Sequence, residues 1–254
     1  MTRQKSNTVK ILGVDFFNGP VEAAVREISA GGYMVVPSGP GLVTLPHDGR
    51  YAEALVKSDL AIADSRYMAL LWLLLHRRKV SRISGLTFLN EFFKLPDLKK
   101  PGTLFLVDPS EDEAMANQRY LKSIGIDLPA GFSYVAPFYG DFVEDEALVV
   151  KVERLMPRYV LVNIGGGTQE KLALYLRENL SCHPAILCTG AAIAFLSGKQ
   201  APIPAWVDHV GLGWLWRCLD NPGRFVPRYL SAFRLFKLMY KYGPNRPPLS
   251  RTSA

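Results

Sequence analysis

The sequence predicts an α/β fold built on a parallel sheet, and three features carry that prediction. Short apolar runs without polar alternation recur along the chain, as expected for strands buried on both faces. Stretches with helical spacing separate them almost throughout. Polar or glycine-rich positions follow the runs directly, at the edge where such sheets hold ligands. In order, the strands are VKILGV (9–14), YMVVP (33–37), LAIAD (60–64), GTLFLVD (102–108), GFSYVAP (131–137), RYVLVNIG (158–165) and PAILCTG (184–190). Helices are expected near 20–30, 49–57, 65–77, 86–95, 111–124, 144–153 and 169–179. No internal repeat is seen, and no linker precedes about residue 198.

With 254 residues, 48% of them hydrophobic, the chain suits one large domain or two small ones and excludes disorder, collagen and a disulfide scaffold. The longest apolar runs, Met68 to Leu75 and Ala185 to Leu196, stop well short of the roughly 20 residues of a membrane span. The opening MTRQKSNTVKILGVDFF is basic, but Asp15 interrupts its apolar stretch and no small-residue cleavage site follows, so a cytoplasmic chain is expected. Cys182, Cys188 and Cys218 form no CxxC pair, and His47, His76, His183 and His209 show no ligand spacing with them. Reduced thiols and no zinc are therefore expected.

The charge is segregated. Residues 1–198 hold 21 basic and 21 acidic side chains, whereas residues 199–254 hold nine basic ones against only Asp208 and Asp220. The whole net charge of +7 thus belongs to the tail. There Trp214, Trp216, Phe225, Tyr229, Phe233, Phe236 and Tyr240 alternate with Arg217, Arg224, Arg228, Arg234, Lys237 and Lys241. Pro227 can open a helix on which Arg234, Lys237 and Lys241 share one face, with Leu230, Phe233 and Leu238 on other arcs. Interleaved aromatics and cations suit a helix lying in the headgroup layer of an anionic membrane. A helix packed on its own domain or on another subunit is the alternative, so a homo-oligomer stays open. Nucleic acid is not expected, because no stacking platform or standard binding module is present. The last residues, PNRPPLSRTSA, read as disordered. The expected organisation is a catalytic domain (1–198), a membrane-facing appendage (199–243) and a disordered tail (244–254).

Four strand ends are candidate sites. Asp64 closes LAIAD and opens a helix, which suits a general base or an ordinary N-cap. In NIGGGTQEKLALYL, Gly165, Gly166 and Gly167 lead into Thr168, Gln169 and Glu170, so free N–H groups can cradle a phosphate, although a tight turn with a threonine cap reads almost as well. This is neither GxGxxG nor GxxxxGK[ST]. Ser38 and Gly39 leave a strand into a Gly/Pro loop that can pass close to a ligand. Arg82 precedes a helix, beyond the basic group Arg77, Arg78 and Lys79, and phosphate binding and plain solvated charge are both open there.

Taken together, these sites and the tail resemble the WecG/TagA/CpsF family of bacterial glycosyltransferases from about residue 10 to 235. The carboxyl half carries most of the resemblance: Gly165 to Lys171, TGAAIAFLSGK (189–199), APIPAW (201–206), GLGWLWR (211–217), and P-x-R-x-x-x-R-Y at Pro222, Arg224, Arg228 and Tyr229. The resemblance implies a GT-E architecture, a Rossmann-like parallel sheet flanked by helices with a basic, aromatic carboxyl-terminal helical appendage at the membrane face. It implies inverting transfer from a UDP-sugar, such as UDP-N-acetylmannosamine, to an undecaprenyl-diphosphate-linked saccharide, without a metal cofactor. By the same resemblance Asp64 falls on the general base. Ser38, Gly39, Gly165, Gly166, Gln169, Glu170 and Gly190 fall around the nucleotide-sugar, and Arg82, Arg217, Arg224 and Arg228 near the acceptor diphosphate.

The chain departs from the family pattern chiefly on the sugar side. Val36, Pro37 and Ser38 stand at a Thr-x-Asn, Ser65 at the glycine of an Asp-Gly, Thr87 at an acidic residue, Ala192 to Phe195 lack an Asp, and Gly213 replaces a Glu. These departures leave the donor sugar open, because a polar group unmatched in a buried site changes which hydroxyl or amide is read. They also motivate a second reading, a catalytically weak homologue that binds nucleotide-sugar or lipid-linked saccharide as an assembly component.

Overall fold

The computed structural model describes residues 7–140, 142–199, 223 and 233–250. An eight-stranded sheet contains β1 (Thr8–Ile11), β2 (Val14–Phe17), β3 (Gly32–Val35), β4 (Leu60–Ala61), β5 (Leu104–Asp108), β6 (Ser133–Val135), β7 (Tyr159–Val162) and β8 (Ala185–Cys188), in the order β1-β2-β4-β3-β8-β7-β5-β6. Among the described residues only β1 pairs antiparallel, with β2, and every other pairing is parallel. Every residue of β5, β7 and β8 is buried, which is why these strands read as unbroken apolar runs.

Successive strand residues feed two cores. Tyr33, Val35, Phe105, Val107, Val160, Val162, Ile186 and Cys188 face one layer, and Met34, Leu104, Leu106, Tyr159, Leu161 and Leu187 face the other. The first layer is closed by apolar faces of α2 (Gly39–Val43), α3 (Gly49–Val56), α4 (Arg66–His76), α7 (Glu146–Leu155) and α8 (Thr168–Asn179). The second is closed by α1 (Val21–Ile28), α5 (Gly85–Phe92), α6 (Glu111–Ser123) and α9 (Ala192–Leu196). Helices on both sides of a parallel sheet confirm the α/β class and the Rossmann-like layering. Among the described residues no helix is long and apolar enough to cross a membrane.

Three local expectations are corrected. Residues 9–14 form two strands, because Leu12 and Gly13 take positive φ and turn the chain into a hairpin. The Gly/Pro loop after β3 contains the short helix α2, begun by Ser38, whose Oγ accepts from Gly41 N at 3.2 Å, with a proline in its first turn. Residues 244–250, read as disordered, are held to the body: Leu12 N and Gly13 N donate to the carbonyls of Gly243 and Pro244, both at 2.9 Å, and Ser250 N donates to Pro46 O at 2.7 Å. Proline lacks a donor but keeps its carbonyl, so a Pro-rich strap can still satisfy the exposed N–H groups of a turn.

Of the expected appendage, the described part is α10 (Arg234–Tyr242); the proposed helix start at Pro227 lies outside the described residues. Leu235 and Met239 are fully buried in the first core layer against α2 and α4, while Arg234, Lys237 and Lys241 are exposed as the spacing suggested. Leu235→Ala should therefore destabilise the whole domain by about 2–4 kcal/mol, read as a lower urea midpoint with an unchanged slope. A native-like midpoint would show that α10 is not part of the cooperative core.

Candidate active site

The parallel strands end together on one edge of the sheet, and the two halves of the chain meet there, between β3 and β8. Asp64 lies just beyond β4. The segment after α4 returns beside it: Ala63 bridges Arg82 in parallel, and Ile83 N donates to Ala63 O at 3.0 Å. Arg82 Nε donates to the Asp64 carbonyl at 3.0 Å, which holds the guanidinium 3.9 Å from the Asp64 carboxylate. Both side chains are partly open to solvent. The cap of α4 is Ser65, whose Oγ accepts from Met68 N at 3.2 Å, so the capping role open to Asp64 in the sequence falls to its neighbour.

The glycine loop is built differently from a threonine-capped turn. Gly165 and Gly167 both take φ near +95°, and α8 begins at Thr168, one residue inside the cap. The Glu170 carboxylate accepts from Gly167 N at 2.6 Å and from Gln169 Nε2 at 3.1 Å. Gly167 has no side chain to return the bond, so only the Glu170 half of a capping box exists. Burial pushes the Glu170 carboxyl above its ordinary range, while these two donors pull it back. Among the described residues nothing lies within 4 Å of a Cβ added to Gly165, Gly166 or Gly167, so no described segment closes over the loop. Such a loop ahead of a helix N-terminus can receive an anion.

Gln169 joins this loop to the next strand end. Its Oε1 accepts from Gly190 N at 2.9 Å, which pins the β8–α9 turn to α8. The other turns interlock at the same edge. A Cβ on Gly85 would lie 3.0 Å from Thr189 O, and one on Gly39 would lie 2.9 Å from Ser65 Oγ. Hence Gly39 and Ser38 sit against the β4–α4 turn, Arg82 to Gly85 against both the β4 and β8 ends, and Gln169 against Gly190. Arg217, Arg224 and Arg228 lie outside the described residues. The arrangement offers one carboxylate beside one guanidinium, with glycine-lined backbone close to a buried Gln/Glu pair. It suits proton acceptance and anion binding.

Comparison with known proteins adds a match to a family model. Residues 9–247 match the Glycosyl transferase WecG/TagA/CpsF family. A Bacillus subtilis protein named N-acetylglucosaminyldiphosphoundecaprenol N-acetyl-beta-D-mannosaminyltransferase is 25% identical over 188 residues, covering 72% of this chain and 71% of the relative. A Staphylococcus aureus protein of the same name is 23% identical over 228 residues, covering 85% of this chain and 87% of the relative.

The structure adds a polar cluster at this edge that the sequence reading passed over. Asp108, the last residue of β5, is fully buried, and its Oδ1 accepts from Asn117 Nδ2 at 2.8 Å and Asn163 Nδ2 at 2.7 Å. Asp108 Oδ2 and the two amide oxygens are buried without a hydrogen-bond partner among the described residues. The signal was present, since LFLVD ends in a carboxylate as LAIAD does, and YVLVN ends in Asn163. Burial raises the Asp108 carboxyl to about 6, against the pull of the two amides. Folding therefore favours its protonated form: the stabilisation is complete below about pH 4 and is lost as pH rises through about 6, on the order of 2–3 kcal/mol. Asp108→Asn should flatten that part of the stability profile measured by urea unfolding from pH 4 to 7. An unaltered profile would place the titration elsewhere.

Proposed function

The chain belongs to the WecG/TagA/CpsF family of glycosyl transferases, and from that premise we propose that it moves a hexose from a UDP-sugar to an undecaprenyl-diphosphate-linked saccharide, inverting the anomeric carbon. N-acetylmannosamine is the first candidate, since that is the sugar named for the Bacillus and Staphylococcus relatives, and N-acetylglucosaminyl-diphosphoundecaprenol is the corresponding acceptor. Cell-surface polysaccharide synthesis is the setting such an acceptor implies. The observation that carries the reading is the Asp64–Arg82 pair at the β4 end, with the cap of α4 assigned to Ser65.

In this mechanism Asp64 takes the proton of the acceptor hydroxyl while that oxygen bonds to C1 of the donor from the face opposite UDP. The C1–O bond to the diphosphate breaks in the same displacement, so one inversion results and UDP leaves with the electron pair. A carboxylate is a weak base, and it need accept the proton only as the new bond forms. Amide groups at the start of α8 and Arg82 stabilise the leaving or acceptor diphosphate, joined by Arg217, Arg224 and Arg228 from the appendage. Ser38, Gly39, Gln169, Glu170 and Gly190 shape the donor side. Because cations and amides carry the charge stabilisation, no divalent metal is required. The basic appendage holds the enzyme peripherally on the inner face of the membrane, where its acceptor lies.

UDP release measured with several UDP-sugars and a short-chain lipid-diphosphate acceptor tests this. Asp64→Asn should lower kcat by about 10²–10⁴-fold with little change in KM for the donor. Undiminished turnover would remove Asp64 as the base. Release from no donor, with acceptor binding retained, would favour the assembly-component reading that the sugar-side departures motivate. EDTA should leave turnover unchanged, and a loss restored by Mg²⁺ or Mn²⁺ would overturn the metal-independent step.

A further inference from the structure

We propose that the outward face of α4, continuous with α10, enters the bilayer as the docking surface of the enzyme, and that it selects anionic lipid. Met68, Leu71 and Trp72 bury the inner side of α4, whereas Leu70, Leu73 and Leu74 are 53%, 37% and 68% exposed. Positions 66, 70, 73, 74 and 77 recur at helical spacing, so the three leucines form one stripe with Arg66 at one end and Arg77 at the other. Arg78 and Lys79 are exposed directly beyond. An apolar run too short to span a membrane is thus laid open along the surface.

α10 extends this face. It packs against α4, with the Tyr67 and Phe233 rings 6.0 Å apart edge to face. Phe233, Phe236 and Tyr240 are exposed, the last two stacked at 6.1 Å, and Arg234, Lys237 and Lys241 are exposed among them. No acidic residue occurs in 65–79 or 233–250. Leucines for the acyl boundary, aromatic rings for the interface and cations for the headgroups are what an in-plane membrane surface requires. A second copy of the same face is disfavoured as occupant, because two wholly cationic surfaces would repel, whereas anionic lipid complements them.

This inference rests on the lipid-linked acceptor proposed above, and it gives that acceptor a route to the base. Asp64 stands two residues before the start of α4 and six before Leu70, so seating the leucine stripe brings the carboxylate close to the headgroup layer. A diphosphate at the membrane surface would then lie beside Arg82.

Co-sedimentation of the full chain with phosphatidylglycerol vesicles, and with phosphatidylcholine vesicles for comparison, is the test. Leu70→Gln/Leu74→Gln should weaken phosphatidylglycerol binding by roughly 10–100-fold, at an unchanged melting temperature, since both side chains are exposed. Turnover on a water-soluble short-chain acceptor should stay at the wild-type level while turnover on a vesicle-embedded long-chain acceptor falls. Arg77→Glu/Arg78→Glu should remove the preference for phosphatidylglycerol. Wild-type binding by both double variants would overturn the proposal. So would a leucine variant that changes only from dimer to monomer in sedimentation velocity, which would assign the face to a second copy. A wild type that releases no UDP but binds vesicles through the leucines would refute the glycosyl-transfer reading and leave the docking surface standing.

Discussion

Burial of the parallel sheet on both faces is the constraint from which the rest of the molecule follows. Strands such as β5, β7 and β8 have no solvent side, so their backbone groups can be satisfied only by lateral neighbours, and their side chains must all be apolar until the strand ends. Polar chemistry is thereby expelled to the strand termini. Asp64, Asp108, Asn163 and Thr189 all stand there, at or just past the last residues of β4, β5, β7 and β8.

Groups crowded onto one edge must be held in place by one another. Glycines permit that closeness: Gly85 lets α5 approach the Thr189 carbonyl, and Gly39 lets the β3 loop reach Ser65. Gln169 then ties two turns through a single amide, and the Glu170 carboxylate holds the N–H of Gly167 at the start of α8. The edge is therefore preorganised before any ligand arrives, which is what electrostatic stabilisation of a leaving diphosphate demands. The Asp108 cluster is a different kind of feature, a buried carboxyl and two amides with three oxygens unpartnered among the described residues. Such a group is costly, and its position beside the glycine loop makes it a structural neighbour of the site.

The same sheet organises the outer surface. α4 leaves the sheet directly after Asp64 and α10 packs back over it, so the Asp64 carboxylate and the leucine-rich face belong to one short stretch of chain. The half-open carboxylate at the N-terminal end of α4 and the bare leucine stripe on its outer side are thereby fixed to one element, so whatever orients one orients the other.

Periodicity and strand-end composition made much of this legible. The α/β class, the parallel strands, most helices and the candidate carboxylate all follow from local apolar runs and what terminates them, because burial on two faces writes itself directly into contiguous sequence. The split of residues 9–14 into a hairpin was hidden, since its turn depends on Leu12 taking a positive φ beside Gly13. The ordered strap at 244–250 was hidden as well, because its partners, Gly13 and Pro46, are some 200 residues away. Residues Asp64 and Asp108 share the same local signature, yet one is half-open beside Arg82 and the other is sealed between two asparagines. Sequence by itself determined which residues could stand at the ends of strands. Only tertiary packing decided which of them kept access to solvent and which side of α4 stayed bare, because both depend on what distant segments cover.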